Sequence, residues 1–159
     1  VEAETMRRRV AEARVGRLAT VTPESRPHLV PCCFALSPRY AASGGDAGDA
    51  GDLRQGGDPA GEGDVLYSAV DAKPKTTLAL RRLANLRANG AAALLVDHYD
   101  DDWDTLWWVR VDGRGRVVEA GSERERALDL LAAKYEQYRR RRPAGAVVAI
   151  DVTRWRAWP

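Results

Sequence analysis

Two lysines carry the clearest chemical signal in this chain. Lys73 and Lys75 stand in the run Tyr67-Ser68-Ala69-Val70-Asp71-Ala72-Lys73-Pro74-Lys75-Thr76-Thr77, where an extended segment gives way to a helix. The N-terminal end of a helix is the wrong place for cations. Its unpaired N–H groups and dipole favour negative charge, and each misplaced lysine costs about a few tenths of a kcal/mol. An external anion removes the conflict: the two ammonium groups, the free N–H groups and the hydroxyls of Thr76 and Thr77 then converge on a phosphate. The alternative is a pair of solvated surface lysines. Only Lys73, Lys75 and Lys134 are lysines among 25 basic residues. The Arg-, Ala- and Gly-rich composition reads as GC-rich coding, against which each lysine has been kept.

No other stretch competes with this one. His28 and His98 are the only histidines, and neither stands in a nucleophile–base motif, so no catalytic side chain is assigned. His98 with Asp97, Asp100, Asp101 and Asp102 reads as a solvated acidic turn rather than a metal site, because no ligands of suitable spacing accompany it. Cys32 and Cys33 are adjacent, so in a strand they point to opposite faces; they read as small packing residues with free thiols. There is no CxxC, no GxGxxG and no P-loop, which argues against structural zinc, a Rossmann dinucleotide site and an NTPase. Net charge is +2, and the Arg139 to Arg142 run lies at a helix C-terminus, where cations complement the dipole; nucleic acid is not an expected partner. Trp107 and Trp108 are consecutive on a strand and must face opposite sides, one of them outward toward a subunit interface, a planar ligand or the rim of the core.

The elements that would position these residues follow from periodicity. Thr5 to Arg14 reads as a helix on Met6, Val10 and Ala13. Val15 to Val21 and Pro27 to Leu36 read as a hairpin around Pro23-Glu24-Ser25-Arg26, with Pro31 marking an edge, a bulge or a ligand-covered point. Ser43 to Gly63 is Gly, Asp and Ala with almost nothing to bury, and reads as a flexible insertion at a hairpin tip. Strands are expected at 64–70, 91–98, 105–119 (bent near Gly113-Arg114-Gly115) and 146–152. Helices are expected at 74–89, with Leu78, Ala79, Leu83 and Leu86 as the buried stripe, and at 122–140, opened by a Ser122/Glu125 capping box. Strands joined mainly by hairpins favour an antiparallel barrel over a parallel sheet. A chain of 159 residues fits a single domain, 1–159. The charged first residues and the lack of a long apolar run make a cytoplasmic protein without membrane partners the expectation.

Several motifs together carry a family resemblance: Arg17-Leu-Ala-Thr-Val21, Arg26-Pro-His-Leu-Val-Pro31, Leu66 to Lys75, Leu83 to Asn89, Leu95-Val-Asp-His-Tyr-Asp100 and Leu106 to Gly113. They resemble the pyridoxamine-phosphate-oxidase-like FMN-binding split-barrel superfamily, and within it the actinobacterial branch of probable coenzyme F-420 (deazaflavin) enzymes. The resemblance implies a mainly β fold, a six-stranded antiparallel split β-barrel with flanking helices. It also implies a homodimer with the cofactor in clefts between subunits. By the same resemblance Val30, Pro31 and Cys32 lie along the ring system, Ser68, Ala69 and Val70 pass beside it, and Lys73 and Lys75 hold the phosphate-bearing tail, beside the Thr76 hydroxyl, which the helix terminus rather than the resemblance places there. Trp108 and Arg110 lie on a strand that approaches the cofactor. The vitamin-processing members carry an arginine where Val30 stands here, which argues against pyridoxamine phosphate oxidation itself. The expectation is hydride transfer from reduced deazaflavin to a small conjugated acceptor. The alternatives are an FMN-dependent oxidase or reductase and a non-catalytic protein that binds a cofactor or haem.

Overall fold

The computed structural model describes residues 1–37, 63–70 and 77–159, the side chains of 77–80 excepted. The chain begins with α1 (Ala3–Glu12), which buries Val10 completely and ends where Ala13 turns extended and gives its N–H to Arg9. Strands β1 (Gly16–Val21) and β2 (Pro27–Cys32) form the expected hairpin. Its turn places Ser25 at φ 61° and is closed by the Thr22 N–H to the Arg26 carbonyl at 2.9 Å. Then come β3 (Ala35–Ser37), β4 (Val65–Ala69), α2 (Thr77–Ala88) and β5 (Ala91–His98). A short 3-10 turn (Trp103–Thr105) leads into β6 (Trp107–Val118), followed by α3 (Ser122–Lys134), α4 (Glu136–Arg140) and β7 (Val147–Trp158).

All strand pairs are antiparallel, in the order β2-β1-β5-β6-β7-β4-β3. The two ends of that order, β2 and β3, are one run of chain interrupted at Cys33–Phe34. The sheet is thereby closed into a barrel by the chain itself. The class is the expected antiparallel barrel with flanking helices, with seven strand segments in place of six. The extra one arises because the second run breaks, and its halves pair with different neighbours. Two groups stitch the break: Ser68 Oγ donates to the Cys33 carbonyl at 2.8 Å, and the Tyr135 hydroxyl accepts from the Phe34 N–H at 3.1 Å.

Alternation explains the two cores. Leu18, Phe34, Leu66, Leu94, Val96, Val109, Val111, Val148, Ile150 and Trp155 fill the barrel, joined by Val10 of α1 and by Leu83 and Leu86 of α2. Tyr67, Ala69, Val147 and Ala149 leave the other face of β4 and β7 and meet Ala127, Leu128 and Leu131 of α3. Each fully buried aliphatic side chain of this kind stabilises the fold by about 1.5–3 kcal/mol relative to leaving it exposed.

Three expectations are corrected. The helix expected over 122–140 breaks at Tyr135, whose backbone turns extended (φ −122°, ψ 119°) so that its hydroxyl reaches Phe34. Ser122 is the first helical residue rather than the cap. Gly121, at φ 94°, holds the cap position without a side-chain bond, so the capping box does not form. The closing strand runs on to Trp158 because its partner β6 is equally long and the alternating Arg154, Trp155 and Arg156 fit a strand. The irregularity expected in β6 near Gly113 is found, as a register shift at Asp112/Gly113 where β7 carries one extra residue, Thr153. Leu78 and Ala79 of the expected helix stripe, and the insertion up to residue 62, lie outside what is described. Among the described residues no helix is long and apolar enough to cross a membrane.

Candidate binding face

Directly opposed residues of an antiparallel pair share a face, so the register defines what the outside of the sheet presents. One row reads Pro31, Arg17, Leu95, Arg110, Arg156 across β2, β1, β5, β6 and β7. The row on one side reads Leu29, Ala19, Ala93, Asp112, Arg154. On the other side Asp97, Trp108 and Trp158 stand abreast. None of these residues is buried, and Leu29 and Trp158 are 65% and 47% exposed. The face is therefore open, apolar toward β2 and cationic and aromatic toward β7. Arg17 pairs with Asp97 at 2.6 Å, and Arg110 with Asp112 at 2.9 Å. Both pairs lie at the surface and contribute about 1 kcal/mol or less.

The expected cofactor residues divide between this face and the interior. Pro31, Trp108 and Arg110 stand on the open face, and the row through Arg17 and Leu95 connects the first and last of them. Val30 and Cys32 point into the barrel, where Cys32 is 9% exposed, and as the hydrogen-bonded partners of Leu18 and Gly16 they turn their backbone groups to β1. Among the described residues, β2 along Pro27–Cys32 pairs with β1 alone, and its other edge carries the backbone groups of Leu29 and Pro31. Ser68 is buried with its hydroxyl on the Cys33 carbonyl; Val70 packs against the barrel core and Ala69 under α3. Lys73, Lys75 and Thr76 lie outside the described residues.

Trp107 and Trp108 face opposite sides, as consecutive strand residues must. Trp107 packs against the barrel core beneath the Arg9 guanidinium, 4.7 Å from its ring centre, and Trp108 turns out beside Trp158. His98 stacks on Trp107 with ring centres 6.3 Å apart and bonds Asp100 at 3.1 Å, in an exposed acidic turn. Among the described residues no three His, Cys, Asp or Glu side chains converge as a metal site. Both cysteines are free thiols; burial pushes that of Cys32 up, against the pull of nearby Arg82. At the Cys33–Phe34 break the Lys134 amine lies 4.1 Å from the centre of the Phe34 ring without a hydrogen-bond partner. Burial lowers its pKa to about 8. The Arg139 to Arg142 run serves its own helices: Arg139 donates to the Ala132 carbonyl, Arg140 pairs with Glu136, and Arg142 with Glu125 and Asp129.

Sequence reasoning missed Arg17, Leu95, Arg156 and Trp158 as members of the open face. The last two were readable from the alternation Arg154-Trp155-Arg156-Ala157-Trp158, which is a strand signal. Arg17 and Leu95 needed the cross-strand register.

Comparison with known proteins bears on this arrangement. The family model described as pyridoxamine 5'-phosphate oxidase matches residues 69–159. The fold is similar to the crystal structure of a conserved hypothetical protein of Mycobacterium tuberculosis, at 19% identity and TM-score 0.67, covering 99% of this chain and 84% of that one. It is also similar to the FAD binding protein of Mycobacterium smegmatis, at 14% identity and TM-score 0.55, covering 99% and 94%. A FAD-binding protein of Mesorhizobium loti aligns at 18% identity and TM-score 0.57, again covering 99% and 94%. At these identities the likeness is one of fold. No curated protein matches the chain.

Proposed function

The chain belongs to the pyridoxamine 5'-phosphate oxidase family, and on that premise we propose that it is an oxidoreductase holding a deazaflavin, coenzyme F-420, between two copies of itself. The observation that carries the reading is the open row Pro31, Arg17, Leu95, Arg110. It offers a planar group flat apolar contact from Pro31 and Leu95, flanked by the guanidinium planes of Arg17 and Arg110, each ion-paired with an aspartate of the same face. Trp108, one row away, adds an aromatic edge to the same strip. The described residues therefore suit a planar ring system.

Held on this face, coenzyme F-420 would bring hydride chemistry toward a small conjugated acceptor. The protein's own residues bind, orient and exclude water, which suits a chain with no visible catalytic triad. The outer edge of β2 offers the Leu29 N–H as a preorganised donor for charge developing on the ring, while Val30 and Cys32, opposite Leu18 and Gly16, hold the strand on β1. Pro31 has no N–H and leaves room there for a flat contact. Lys73, Lys75 and Thr76, which precede α2 in the sequence, would hold the phosphate.

Replacing Lys73 and Lys75 together by Ala is expected to weaken cofactor affinity more than tenfold, measured by fluorescence titration. Unchanged affinity would remove the phosphate site from the reading. A second reading keeps the fold and places FMN in the same site. It draws on the flavin-binding relatives named above, and a yellow protein releasing FMN on denaturation would favour it.

A further inference from the structure

The turn between β5 and β6 is an acidic, aromatic tip held rigid by its own side chains. Asp100 accepts from the Asp102 N–H at 2.7 Å and from the Thr105 hydroxyl at 3.2 Å, and Asp102 accepts from the Asp104 N–H at 3.1 Å. These bonds hold the Asp100 carboxyl below its ordinary range. Asp100 and Asp102 are thus spent on the turn. Asp101 and Asp104 are exposed and have no side-chain partner among the described residues, and Tyr99 and Trp103 are each 71% exposed. A tip this ordered presents two large aromatic rings and two free carboxylates to solvent.

The open face carries the complementary set. Arg154 and Arg156 are exposed and without a partner among the described residues. Arg156 stands directly opposite Arg110 on β6, a like-charge cross-strand pair that is unfavourable when left alone. Trp108 and Trp158 lie side by side one row away, with Trp158 half exposed. The tip leaves the sheet beyond Trp107, whereas Asp112, the residue paired with Arg154, lies about 17 Å along that strand in the other direction, which sets the tip's carboxylates apart from Arg154 of their own chain.

We propose that the Tyr99–Thr105 tip of one copy docks on the Arg154, Arg156, Trp108 and Trp158 corner of a second copy. The two unpaired surfaces have opposite charge and both carry exposed aromatic rings. Because both sit on one chain, a two-fold axis uses the contact twice and leaves neither surface open. Asp101 and Asp104 neutralise the arginine pair, and Trp103 and Tyr99 cover the tryptophans, as aromatic and arginine anchors do at interfaces. The inference rests on the homodimer of the proposed function and says which residues make it.

Charge reversal tests it. The variants Asp101→Lys/Asp104→Lys and Arg154→Glu/Arg156→Glu are compared with the wild type by sedimentation equilibrium, with circular dichroism to verify folding. Each variant alone is expected to raise the dimer dissociation constant at least tenfold. Mixing the two restores both contacts in a heterodimer, because lysine tips then meet glutamate corners and aspartate tips meet arginine corners. A wild-type dimer that neither variant loosens would overturn the docking and leave the homodimer standing. A monomeric wild type would overturn both.

Discussion

The Tyr135 hydroxyl lies 3.1 Å from the amide nitrogen of Phe34 and 3.0 Å from the carbonyl oxygen of the same residue. It also reaches the Arg14 carbonyl at 2.9 Å. One hydroxyl thereby accepts from the buried N–H at the break between β2 and β3 and shares its own proton between two carbonyls. The bent strand that closes the barrel depends on it. Tyr135→Phe keeps the ring in place and leaves the Phe34 N–H buried without an acceptor. The expected loss is about 2 kcal/mol of unfolding free energy, read from urea denaturation. A variant as stable as the wild type would show that the break holds without this bond.

Lys134 gives a pH signature to the same region. Its pKa falls from 10.5 to about 8 in the folded chain. Between about pH 8 and pH 10 the unfolded chain binds more protons at this position, so the wild type gains stability as pH rises. Below pH 8 the amine is charged in both states and its contribution is flat. Lys134→Met removes this dependence. The wild-type-minus-variant difference should therefore rise by about 1–2 kcal/mol from pH 7 to pH 10, after discounting for partial exposure. Taking the difference cancels the opposing contributions of Tyr67, pushed up to about 12, and Cys32. A difference that stays constant with pH would contradict the buried amine.

Gly113 tests the register shift between β6 and β7. A Cβ there would run into the carbonyl oxygen of Asp151 and sit 2.7 Å from Cγ2 of Ile150. The first obstacle is backbone in a paired strand and has no room to give. Gly113→Ala is expected to cost about 1–3 kcal/mol, seen as a lower melting temperature. Gly121→Ala is a useful contrast, since nothing lies within 4 Å of a Cβ there and only the φ of 94° opposes it.

Local patterns made most of the fold legible. The alternation in Val65 to Val70 sorted Leu66 and Ser68 from Tyr67 and Ala69 before the sheet was known, and the strand at Ala91–His98 falls where its apolar run does. What stayed hidden depended on partners distant in sequence. The break at Cys33–Phe34 is made by Ser68 and Tyr135, and the bend between α3 and α4 is the reverse side of the same contact. The site was legible in part. Pro31, Trp108 and Arg110 share the open face, but Val30, Cys32 and Ser68 face the interior, because strand periodicity assigns neighbours to opposite sides without saying which side is outside. The joining of Pro31 to Arg110 through Arg17 and Leu95 is a property of register, and no single segment contains it.

The central claim is that this face binds a deazaflavin, and titration of the protein with coenzyme F-420 and, separately, with FMN tests it most directly. The chain's five tryptophans report binding by quenching, Trp108 and Trp158 foremost. Coenzyme F-420 is expected to bind at micromolar concentration or tighter and FMN more weakly, with affinity for coenzyme F-420 falling more than tenfold when Lys73 and Lys75 are replaced by Ala. Binding of neither cofactor would contradict it, leaving the barrel and its family membership without the proposed activity.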